Sequence, residues 1–62
     1  MKTQLSIRAL RIESGLTQDA LAQKLGVNTA SISRWEKGRN VKPLYVYALA
    51  YIFHVKADFI RT

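Results

Sequence analysis

The sequence contains no cysteine, which excludes disulfide bonds and thiolate metal sites and removes any sign of an oxidising compartment. Long apolar runs are also missing. The most apolar segment, Leu44 to Val55, has twelve residues, whereas a membrane-spanning helix needs about 20. Nor does Met1-Lys2-Thr3-Gln4-Leu5-Ser6 have the apolar stretch of a secretory signal behind its positive charge. There is no linker, repeat or low-complexity tract. The single histidine, His54, has no nearby second ligand or base. No nucleophile–base pair, carboxylate pair or metal-ligand cluster is available. The expectation is therefore a soluble cytoplasmic protein that is not an enzyme, with no metal, cofactor, small-molecule ligand or membrane partner.

At 62 residues the chain reads as one small domain, 1–62. A chain of this size buries only about 60% of the surface its unfolded form exposes. Without disulfides or metals, its stability rests on apolar packing, helix caps and association with a partner subunit. Acidic residues are scarce: four Asp and Glu stand against ten Lys and Arg, a net charge of +6. This excess favours a polyanionic partner, either nucleic acid or an anionic membrane surface. The charge is also clustered. Arg34, Lys37, Arg39 and Lys42 fall within nine residues that hold one acid, Glu36. No basic-aromatic pattern of the kind used to stack RNA bases accompanies them.

Turn signals divide the chain into five short segments. Gly15 suits a left-handed position just past a helix, and Thr17 then opens the second segment as an N-cap. Gly26-Val27 separates the second segment from the third, with Asn28 as the next N-cap. Gly38 ends the third, and a loop through Arg39, Asn40, Val41 and Lys42 leads to Pro43. Proline fits the first position of a helix, where its missing N–H costs nothing. Apolar spacing within the segments is helical: Ile7 and Leu10; Leu21, Ala22 and Leu25; Leu49, Ala50 and Phe53. No segment alternates over enough residues to argue for a strand. The reading is all-α, with five short helices around one core, the last at Ala57 to Arg61.

The second and third segments meet the narrow demands of two helices crossing through a tight turn. Ala22 falls at the crossing, where a larger side chain would hold the helices apart. Gly26 falls where the turn needs positive φ. Val27 and Ile32 occupy apolar positions that tie the third helix to the core. The run Leu16-Thr17-Gln18, Leu21-Ala22, Leu25-Gly26-Val27, Ile32-Ser33-Arg34-Trp35-Glu36-Lys37-Gly38 resembles the Cro/repressor-type helix-turn-helix family. The resemblance spans Ile7 to Ile60, with the helix-turn-helix at about 17–37. Five residues from Gly38 to Pro43, then twelve to Val55, resemble the phage 434-type members most. Two positions depart from that pattern. His54 stands where those relatives carry a left-handed Gly, so a little strain is expected. Leu44 replaces a basic residue near the minor groove.

The resemblance implies a compact lambda-repressor-like fold whose third helix enters the major groove of double-stranded DNA. Relative to Ile32, the outward positions are Thr29, Ala30, Ser33 and Arg34. Arg34 can bond guanine O6 and N7 together, the methyl groups of Thr29 and Ala30 suit thymine, and the hydroxyls of Thr29 and Ser33 can bond either base type. Gln18, Asn28, Lys37, Arg39, Asn40 and Lys42 are the phosphate candidates, Gln18 being helped by the positive end of its helix. The family pattern pairs Glu36 with Arg11 as a structural ion pair. Trp35 is expected to cover the core beside the fourth helix, and Asp19 to complement a helix dipole.

Tyr45, Tyr47 and Tyr51 are expected to lie clear of the core, where tyrosine suits an interface. Val41, Pro43, Tyr45 and Phe59 are the candidates for a weak two-fold dimer that tightens on DNA. The function implied is a Cro-like repressor, bacterial or phage-encoded and nucleoid-associated, that occupies a palindromic operator and excludes polymerase. No residue follows Thr62, so a Cro-like protein is expected rather than a two-domain repressor, whose truncated N-terminal domain would look the same. An antitoxin-type interaction module with the same fold is the alternative from another class.

Overall fold

Three helices of this protein end in the same backbone arrangement, and each ending is written in two residues. The computed structural model describes residues 4–38 and 41–61. Its α-helices are α1 (Ile7–Glu13), α2 (Gln18–Leu25), α3 (Thr29–Glu36) and α4 (Pro43–Phe53). Past α1, α2 and α4 the chain turns left-handed at Gly15 (φ 76°), Gly26 (φ 72°) and His54 (φ 58°). The next residue then bonds back to the carbonyl five positions earlier: Leu16 to Arg11, Val27 to Ala22 and Val55 to Ala50, at 3.0–3.1 Å. This satisfies carbonyls that the helix end would otherwise leave bare, and Leu16, Val27 and Val55 pack against the core as they do so. His54 is the one non-glycine residue with positive φ among the described residues.

The helix starts follow the same local logic. Ser6 Oγ accepts from the Ala9 N–H at 3.1 Å and Thr17 Oγ1 from the Ala20 N–H at 3.0 Å. Asn28 takes the N-cap position of α3, but its side chain makes no capping bond. Pro43 sits in the first turn of α4.

The core is made where the apolar stripes meet. Ile7, Leu10, Leu21, Ala22, Ile32, Leu49, Ala50, Phe53 and Ile60 are buried, and Leu21, Ile32 and Leu49 have no exposed surface. Ala22 retains 3% of its surface, so the crossing of α2 and α3 leaves room for a methyl group and little else.

Two features correct the five-helix, strand-free expectation. The described residues hold four α-helices, and the segment after α4 is only a 3-10 turn, Ala57–Phe59. Leu5–Ser6 and Ile60–Arg61 form a short parallel pair, β1 and β2, with Leu5 opposite Ile60 and Ser6 opposite Arg61. Two-residue strands carry no alternation to read, and their pairing depends on the whole chain coming between them. Among the described residues no helix is long and apolar enough to cross a membrane.

Candidate nucleic-acid interface

The third helix is anchored by one face and more exposed on the other. Ile32 is buried, and Trp35 is half-buried against the core with its ring 4.9 Å from that of Tyr45, tilted by 37°. On the opposite side, Thr29, Ala30, Ser33, Arg34 and Lys37 follow one helical stripe. Ala30, Arg34 and Lys37 are exposed, while Thr29 and Ser33 are half-buried. The stripe therefore has a cationic far end and a small, hydroxyl-bearing near end.

Beside it stands the start of α2. Gln18 Nε2 donates to Glu36 Oε1 at 3.0 Å, and Arg11 Nε donates to Glu36 Oε2. Arg11 also donates to the Leu16 carbonyl at 2.8 Å. One carboxylate thus holds α1, α2 and α3 in fixed relation. The negative charge of Glu36 is matched by Arg11, so it adds little repulsion toward a polyanion. Gln18 has one amide proton committed to Glu36, which leaves its second amide proton for another acceptor.

Asn28 and Lys42 are both exposed. Lys42 is the residue immediately before α4. Arg39 and Asn40, also read as phosphate candidates, lie outside the described residues.

Sequence reasoning missed two cations here. Arg8 joins Arg11, Gln18, Ser33, Glu36 and Lys37 around a shallow cleft. Arg61 borders an adjoining depression that Lys37 also lines. Arg8 could have been found from its position one turn before Arg11 on α1. Arg61 could not, because the β1–β2 pairing is what brings it to this side. A third omission is a contact between the two helix starts: Thr29 Oγ1 donates to Asp19 Oδ1 at 2.5 Å.

Among the dimer candidates, Pro43 is exposed, while Val41, Tyr45 and Phe59 are half-buried and Val41 and Phe59 pack against the core. Tyr45 is half-buried, with its ring against that of Trp35. Val41 and Pro43 do line a common depression with Val46, Tyr47, Ala57 and Asp58.

A short helix crossing over a second, with a small residue at the crossing, a left-handed glycine between them and a polar outward face, is the geometry of a groove-reading pair. A family model described as helix-turn-helix matches residues 7–60. The chain belongs to the Cro/repressor-type helix-turn-helix family. No solved structure matches the chain. Membership of this helix-turn-helix family makes the protein a DNA-binding regulator of that type, with double-stranded DNA as its partner. The family match takes in all four α-helices and runs to the first residue of β2.

Proposed function

We propose that this helix-turn-helix protein is a sequence-specific repressor that occupies a roughly palindromic operator as a two-fold dimer, in the manner of a Cro protein. The observation that carries the reading is the outward stripe of α3, where exposed Ala30 and Arg34 lie beside half-buried Thr29 and Ser33 while Ile32 holds the opposite face in the core. Arg34 reads guanine; Thr29, Ala30 and Ser33 read neighbouring base edges. Gln18, Asn28, Lys37 and Lys42, together with Arg39 and Asn40, set the register through phosphates, and Arg8 and Arg61 extend that set. Repression is by exclusion of polymerase, with no chemistry performed.

Selection of binding sites from random duplexes, followed by footprinting, tests this directly. The expected result is a motif with two inverted half-sites about one helical turn apart, centre to centre. Recovery of unrelated sequences with no shared motif would overturn it.

A second reading has one observation in its favour. Leu44, Tyr47 and Tyr51 are 72%, 66% and 82% exposed and share one face of α4, and the range Pro43–Phe53 contains no charged residue. Such a face suits a protein partner, as in an antitoxin-type module. Co-purification of a toxic partner encoded beside this chain, lost when Tyr47 and Tyr51 are both changed to Ser, would favour that reading over the homodimer.

A further inference from the structure

A side-chain bond joins the first turns of α2 and α3. Thr29, the first residue of α3, gives its hydroxyl proton to Asp19, the second residue of α2, at 2.5 Å. A threonine hydroxyl has one proton and two lone pairs, and its branched Cβ restricts χ1. Once the proton is committed to Asp19, only two features of Thr29 remain available outside the protein: a lone pair on Oγ1 and the Cγ2 methyl group.

These two features do not fit all base pairs equally. In the major groove, adenine presents an N6 donor and its partner thymine a methyl group. Guanine presents two acceptors, N7 and O6, and cytosine a donor with no methyl group. An acceptor and a methyl side by side therefore match A·T, while guanine's acceptors meet a lone pair with the Asp19 carboxylate behind it. We infer that Asp19 sets the base preference of Thr29, converting a hydroxyl that could bond either base type into a reader of one A·T pair in each half-site. The inference rests on the reading of α3 as the base-facing helix, and it assigns Asp19 a positioning role in addition to its place near a helix N-terminus.

The test measures relative affinity for operator duplexes substituted one base pair at a time, using wild-type protein and the variants Thr29→Ala, Asp19→Ala and Asp19→Asn. Thermal melts establish that each variant is folded. Wild type should prefer A·T over G·C about tenfold at one pair per half-site, and Thr29→Ala should reduce the preference at that pair. Asp19→Ala should lower it to below about threefold at the same pair, even as loss of a negative charge tightens binding to every duplex. Asp19→Asn can offer an N–H to Oγ1 and release the hydroxyl proton outward, so it should shift preference toward guanine. If Thr29→Ala alters one pair but both Asp19 variants keep the wild-type ratio there, the inference is wrong and the base-facing reading stands. If Thr29→Ala alters no pair at all, both fall together.

Discussion

Arg11 and Glu36, twenty-five residues apart, meet with Nε donating to Oε2 at 2.5 Å, and their side chains keep only 13% and 7% of their exposure. Because Arg11 also holds the Leu16 carbonyl and Glu36 also holds Gln18, the pair connects the first three helices and the turn between α1 and α2. Charges withdrawn this far from water depend on each other, and removal of either partner strands the other.

Glu36→Gln and Arg11→Met should each therefore cost roughly 3–5 kcal/mol, a large share of the stability of so small a domain. The double variant should lose clearly less than the sum of the two. Urea or thermal melts of the three proteins decide it: strict additivity would show that the two residues do not depend on each other.

His54 holds a left-handed backbone without being glycine, with φ 58° and ψ 42°. Left-handed geometry costs an L-residue about 1–2 kcal/mol, and glycine returns part of that gain as unfolded-state entropy, about 0.5–1 kcal/mol. His54→Gly should then raise stability by about 0.5–1 kcal/mol and the melting temperature by a few degrees. Gly26→Ala should move both in the opposite direction. An unchanged or lower melting temperature for His54→Gly would mean that its side chain contributes more than its backbone costs.

Arg34 and Lys42 should separate sequence reading from phosphate contact. Arg34→Ala should cost about 1–3 kcal/mol on the selected operator and relax preference at one base pair per half-site. Lys42→Ala should weaken operator and random duplexes alike. Competition titrations with operator, single-pair variants and random DNA provide the measurement. Equal weakening on every duplex by Arg34→Ala would make it a phosphate contact and leave specificity to Thr29, Ala30 or DNA shape.

Binding should also fall steeply with salt. The cations of two copies are expected to make about 6–10 phosphate contacts, for which affinity drops ~10³–10⁵-fold between 50 and 200 mM salt. A nearly flat plot of log affinity against log salt would be incompatible with this mode of binding.

Free in solution the protein should be mainly monomeric at micromolar concentration, with two copies on each operator. The depression lined by Val41, Pro43 and Tyr47 is small, and the entropy lost on association offsets most of what such a surface gains. Tyr45 adds little, since its ring already packs on Trp35. Sedimentation with and without operator DNA is the check; a dimer stable at nanomolar concentration would contradict it.

The helical segments, the left-handed turns at Gly15 and Gly26, the cap at Thr17 and the start at Pro43 were all legible in the sequence. Each depends on residues no more than a few positions apart, and that is the range over which residue type constrains φ, ψ and hydrogen bonding. The outward side of α3 was legible for a similar reason: once Ile32 is assigned to the core, helical periodicity orders the rest. His54 was readable only through its departure from a related pattern. The tertiary structure decided everything that depends on which surfaces face each other. It brought Leu5 alongside Ile60, reduced the expected fifth helix to one turn leading into that pairing, and carried Arg61 toward Lys37. It turned Tyr45 onto Trp35, and it set Gln18 against Glu36 and Asp19 against Thr29. Those contacts follow from how closely the helices cross at Ala22 and from how the chain ends meet, and neither leaves a periodic signal along the sequence.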